Sequence, residues 1–149
     1  MITQVPNTIT QKLRLVVMSL GKITFGCRIE TVYKVVRCPQ NHSSELGLVG
    51  MTHLDGQAVI VVDLHHQLFQ VSNSDDHGYF VIIKSKTSAL IAIPVTTSPS
   101  LIDVPQEDFK ILPNSYRHTK TLHFASHVAI VSNEDETLTV FVLDENALL

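Results

Sequence analysis

Leu48-Val49-Gly50-Met51-Thr52-His53-Leu54-Asp55-Gly56-Gln57-Ala58-Val59-Ile60-Val61-Val62-Asp63-Leu64 is the stretch that decides the fold. Two apolar runs, residues 46–54 and 57–64, are split by Asp55-Gly56, a pair that favours the positive φ angles of a two-residue primed turn. The stretch therefore predicts a β-hairpin. Its second arm, Ala58 to Val62, is apolar at every position rather than at alternate ones. A strand of that kind is covered on both faces.

Working towards the N-terminus, residues 13–20 and Ile23 to Cys27 form a second pair of short apolar runs around Gly21-Lys22, and predict a second hairpin. Between the hairpins Ile29, Val32, Tyr33 and Val36 recur at three- and four-residue spacing, which predicts a short amphipathic helix over Ile29 to Arg37, ending before Pro39. Residues 1–12 carry no apolar period and read as a flexible tail. Towards the C-terminus a helical turn at His65 to Phe69 is followed by Ser, Asn and Asp residues, so the main connector is expected near 70–78. Beyond it the runs Tyr79 to Ile83, Ala89 to Val95, Leu101 to Val104, Leu122 to Val131 and Thr137 to Leu143 are separated by turn residues. Pro94, Pro99, Pro105 and Pro113 should mark strand ends, edges or bulges, since proline cannot donate to a ladder. Many short strands with little helix predict a mainly β chain built of small barrels, with 13–149 as one domain.

Composition agrees. The 149 residues include 18 valines, 12 isoleucines and 13 threonines, stiff side chains that pack well on pleated surfaces. At 44% hydrophobic and 17% charged the chain is not intrinsically disordered. A net charge of -3 supplies no field for gripping phosphates, which excludes nucleic acid as a partner class. No stretch approaches the roughly eighteen apolar residues of a membrane span, so no direct membrane insertion is expected. The two cysteines, Cys27 and Cys38, read as reduced thiols, and with no apolar leader at the N-terminus they imply a cytoplasmic protein.

Candidate chemistry is sparse. The eight histidines invite a metal reading, but His65-His66 are adjacent and diverge. His123 and His127, if on one strand, would lie on the same face yet about 13 Å apart. No set of three or four convergent ligands emerges, so no metal and no cofactor is expected. There is no Gly-x-Ser-x-Gly elbow and no phosphate-binding glycine loop. The acidic pairs at Asp75-Asp76 and Glu134-Asp135-Glu136 read as solvated loop tips.

The segment Gly50 to Leu64 resembles the signature of CheW, the coupling protein of bacterial chemosensory arrays, whose pattern runs Gly-(x)3-Leu-Arg-Gly-(x)4-Pro-hydrophobic-Asp-Leu. Leu20-Gly21, Phe25-Gly26 and Val32-Tyr33-Lys34-Val35 are similar to that family's opening hairpin and short helix. Ala92-Ile93-Pro94-Val95 and Phe141-Val142-Leu143-Asp144 are similar to its later strands. The resemblance spans residues 13–149. It implies two small SH3-like β-barrels packed around a shared apolar core, with one short helix and a short C-terminal helix. It also implies a non-enzymatic adaptor that couples the cytoplasmic tips of chemoreceptors to the regulatory domain of a CheA-type histidine kinase. The partner-binding groove implied by the resemblance falls at Val32, Lys34, Val35, Asp55, Val95 and Thr96. Pro94, Pro105, Pro113 and Tyr116-Arg117 look like members serving phototaxis or type IV pilus motility.

The departures from the pattern are specific. Where the family carries Arg this chain has Asp55, its Pro is Val61, its Asp after Val95 is Thr96, and a typical acidic position is Lys34. Groove charges are thus inverted at two places. Asp55 also has a local reason to be there, the Asp-Gly turn. A separate reading takes the chain as a small-ligand or metal-binding β-barrel that uses its histidines.

Overall fold

Strands β1 (Lys12–Leu20) and β2 (Ile23–Arg28) form the first hairpin, with Leu20 opposite Ile23 across the Gly21-Lys22 turn. Gly21 sits at φ +63°, and a Cβ there would meet Phe69 Cε2 at 2.9 Å, so conformation and space both call for glycine. Strand β3 (Val32–Arg37) follows a 3-10 turn at Ile29–Thr31. Strands β4 (Val49–Leu54) and β5 (Gln57–Val62) make the expected hairpin, Leu54 opposite Gln57. Asp55 at φ 53° and Gly56 at φ 79° give the turn its left-handed backbone at both positions. Helix α1 (Leu64–Phe69) is next, and then β6 (Tyr79–Lys84), β7 (Leu90–Val95), β8 (Ser100–Pro105), β9 (Phe109–Ile111), β10 (Ala125–Asn133) and β11 (Glu136–Leu143). This computed structural model describes residues 11–38, 49–69, 78–116, 122–133 and 135–148. Most of the expected tail and connector, residues 1–10 and 70–77, lies outside the described residues.

The strands form two sheets. One has six strands in the order β8-β1-β2-β11-β10-β9, and the other five in the order β3-β6-β7-β5-β4. Each contains one parallel pair, β2 with β11 and β5 with β7. Strand alternation sorts the apolar side chains into three cores. Leu15, Val17, Val104, Ala129, Val140 and Val142 fill the first barrel. Val59, Val61, Phe80, Ile82, Leu90 and Ala92 fill the second. The side chains between them in sequence, among them Val16, Met18, Val62, Val81, Ile83, Ile91 and Ile93, point the other way into a core shared by both sheets. The unbroken apolar runs are explained by this: β1, β5, β6 and β7 each have a barrel on one side and the shared core on the other.

Local chemistry finishes the elements. Asp63, 4% exposed, starts α1 by accepting a hydrogen bond from the His66 backbone N–H onto Oδ1 at 3.0 Å, which satisfies an otherwise orphan donor. Leu64 and Leu68, four apart, face the shared core. Pro94 lies two residues past Ala92, the last residue of β7 paired with β5, so its missing N–H leaves no gap in that ladder. At the C-terminus Asp144 Oδ1 accepts from the Asn146 N–H, and Leu148 is buried.

Three expectations need correction. Ile29 to Arg37 is not a helix but a 3-10 turn followed by β3. The C-terminal helix is a single 3-10 turn, Glu145–Ala147. Leu122–Phe124 is also a 3-10 turn, so His123 does not share a strand with His127, which lies in β10 beyond a bulge.

Candidate partner-binding surface

A β-bulge shapes the site. Val32 pairs with Ile83, but the next pair is Lys34 with Ile82, so Tyr33 and Lys34 together oppose one residue of β6. The extra residue shifts the phase of the strand. Val32 and Val35, three apart, share the face of Ile83 and Val81, which is turned towards the shared core. Lys34 and Val36 share the opposite face with Ile82 and Phe80, on the side of the second barrel's interior. Val32 and Val36, which the spacing placed on one helical stripe, thus lie on opposite faces of a bulged strand.

The predicted groove residues therefore divide. Val32 is half-buried against the shared core, whereas Val35 is 40% exposed on the same face. Met51 on β4, opposite Ile60, is 57% exposed. Both are apolar side chains on outer strands of the five-stranded sheet. Val95 is 1% exposed and belongs to the shared core, so its side chain is no contact surface. Thr96 is half-buried just beyond it, and its carbonyl would lie 2.7 Å from a Cβ on Gly78. Lys34 is opposite Ile82 and Ile82 opposite Ala92. Thr96 is four residues further along, about 13 Å away at strand spacing. The structure does not bring Val95 and Thr96 together with Lys34.

It does bring Lys34 to Asp55. Lys34 Nζ donates to Asp55 Oδ2 in an exposed ion pair. β3 and β4 are the two outer strands of their sheet, and Asp55 stands in the turn that ends β4. The pair thus ties one edge of the second barrel to the other. The hydrogen bond to Asp55, helped by the carboxylate's charge, holds the Lys34 ammonium above the ordinary lysine pKa.

Two neighbours escaped the sequence reading. The Lys34 and Lys84 ammoniums lie 5.8 and 5.5 Å from the centroid of the Tyr33 ring. Lys84 closes β6 and Tyr33 is the bulge residue, so no spacing along the chain relates them. Two of the histidines are engaged elsewhere: His127 Nδ1 lies 2.8 Å from Ser126 Oγ and 3.4 Å from Arg28 Nη2, and His123 packs edge-on to Phe124. Among the described residues no three His, Cys, Asp or Glu side chains converge as a metal site would require, and no helix is long and apolar enough to cross a membrane.

The sequence pattern of the CheW-like domain family matches residues 14–149. The chain belongs to the CheW-like domain family. A solved structure of similar shape is that of the scaffolding protein TtCheW from Thermoanaerobacter tengcongensis, with a TM-score of 0.71 at 16% identity over 95% of this chain and 90% of that one. At that identity the likeness speaks for the fold, two barrels around a common core. Among curated proteins no sequence matches. In this CheW-like chain the two residues singled out as departures from the sequence pattern, Lys34 and Asp55, are the two ends of one ion pair.

Proposed function

We propose that this CheW-like chain is a non-enzymatic adaptor that works in the cytoplasm, coupling chemoreceptor tips to the regulatory domain of a CheA-type histidine kinase. The observation that carries the reading is the family match over residues 14–149. The geometry supports it: Val35 and Met51 offer exposed apolar surface on the outer strands of a rigid barrel, beside a charged tie. Such a module acts by shape, with apolar residues supplying contact area and rim charges choosing the partner. On the likeness of Pro94, Pro105, Pro113 and Tyr116-Arg117 to such members, the system served belongs to the branch for phototaxis or type IV pilus motility.

The test is a binding assay with two fragments from the same genome, a receptor-tip helical hairpin and the kinase regulatory domain. Both are expected to bind, separately and together. Val35→Asp should weaken receptor-tip binding about tenfold, as a charge placed in an apolar contact does. Failure of the wild-type chain to bind either fragment overturns the reading.

A further inference from the structure

The charges around Tyr33 do not balance. Two ammoniums lie over one ring, at 5.8 Å for Lys34 and 5.5 Å for Lys84. A ring attracts a cation, but two like charges drawn to one ring repel each other. Lys34 is compensated by Asp55. Lys84 has no carboxylate partner among the described residues, and its ammonium stands over the ring. This happens in a chain whose net charge is -3, so the local positive excess is not a background property.

The corner is also open and held in place. Tyr33 is 38% exposed. Lys84 follows Ile83, which is laddered to Val32 on one side and Ile91 on the other. The turn after it is tight, with Ser85 N–H donating to the Ala89 carbonyl at 2.9 Å and Ser88 N–H to the Ser85 carbonyl at 3.0 Å. A half-exposed tyrosine on a rigid element beside an uncompensated cation has the composition of an interface anchor.

We propose that Lys84, Tyr33 and Lys34 form a corner that receives a carboxylate side chain of a protein partner, Lys84 supplying the unmatched charge and Tyr33 the apolar wall. The occupant is an acidic residue flanked by apolar ones, since the ring accepts contact area as well as charge. This rests on the coupling reading, because a protein must come to the open edge of the second barrel. It adds to that reading the chemistry the partner must present.

The experiment uses the full chain with the same two probes, the receptor-tip hairpin and the kinase regulatory domain, titrated at low and high salt. Lys84→Glu should weaken binding to one of them by about tenfold and flatten its salt dependence, as reversing a rim charge does. Lys84→Arg should bind like the wild type, and Lys110→Glu, exposed on the other barrel, should leave binding unchanged. Reversing acidic residues of the affected fragment one at a time should find one that restores binding to Lys84→Glu. If both fragments bind the wild type and Lys84→Glu binds each equally well, the corner is overturned and the coupling reading stands. If neither fragment binds the wild type, the coupling reading falls and the corner with it. If poly(U) RNA competes with the fragment for the wild type but not for Lys84→Glu, the corner is a general polyanion site and the proposal fails. The melting temperature of Lys84→Glu, measured alongside, should match the wild type.

Discussion

At the scale of single residues, Asp55 answers two demands at once. Its backbone must hold φ at 53°, which aspartate and asparagine tolerate better than other non-glycine residues. Its carboxylate must meet Lys34. The demands separate by substitution. Asp55→Asn keeps the turn and removes the charge, so its melting temperature should stay near the wild type's while the Lys34 pKa, followed by NMR, falls back towards the ordinary value. Asp55→Val keeps no charge and strains the turn, and should destabilise by about 1–2 kcal/mol in urea unfolding. Asp55→Arg should weaken binding to the native fragments, and pairing it with Lys34→Glu should recover the tie with its polarity reversed. A double variant no better folded than Asp55→Arg alone would show that the tie contributes nothing.

The thiols give a second test at this scale. Burial, with Glu145 adding to it, pushes the Cys27 thiol up to about 12, and burial raises Cys38 to about 11, from an ordinary 9.0. The reactive thiolate is therefore scarce in the folded protein. A disulfide-exchange reagent at pH 8 should leave Cys27 untouched, modify Cys38 slowly, and titrate both at once in urea. The same shift sets a sign. Above pH 9 the unfolded chain loses a proton that the folded chain keeps, so stability falls as pH rises from 9 towards 12. Cys27→Ala removes that group, so its stability deficit against the wild type should narrow between pH 8 and pH 10. A constant deficit would contradict the shift.

At the scale of elements, β2 shows how little room the first barrel leaves. A Cβ on Gly26 would stand 2.9 Å from Val140 Cγ1 and 3.1 Å from Leu15 Cδ1, both fully buried. Gly26→Ala should destabilise by about 1–3 kcal/mol as overpacking does, and Val140→Ala in the same chain should return part of that loss. Additive losses from the two substitutions would mean that the glycine serves some other need. The elements also show what could be read beforehand. Both two-residue hairpins were legible because turn residues act locally: Gly21 and Asp55-Gly56 carry their backbone preference with them. β3 was not, because its bulge breaks the period of two and sets Val32 and Val36, four apart, on opposite faces. The parallel pairings of β2 with β11 and β5 with β7 join distant runs, and nothing within either run encodes them. The site divides in the same way. Lys34 and Asp55 could be singled out one by one, but that they touch, that Val35 faces away from Lys34, that Val95 is core, and that Lys84 meets Tyr33 all depend on register.

At the scale of the whole molecule, the two barrels should not be separable. Each takes roughly half of the 149 residues, close to or below the 70–80 or so under which a single core rarely suffices. Among the described residues the shared cluster is larger than either barrel's own interior and draws on β1, β2, β5, β6, β7, α1 and Leu148. Removing one barrel would expose that cluster on the other. A lesion deep inside one barrel should therefore be felt in the other. Ile82 is 0% exposed and belongs to the second barrel's interior. Ile82→Ala should lower stability by about 2–5 kcal/mol, the range for a large aliphatic side chain cut to alanine in a packed core. If folding is one cooperative event, the slowest-exchanging amides of β10 and β11, in the first barrel, should lose as much protection as those of β6 and β7. Loss confined to β6 and β7 would mean that the first barrel survives when the second opens. Val35, Lys34 and Lys84 all stand on the second barrel, so a cooperative fold also implies that partner binding there protects β10 and β11 from exchange, without touching either strand.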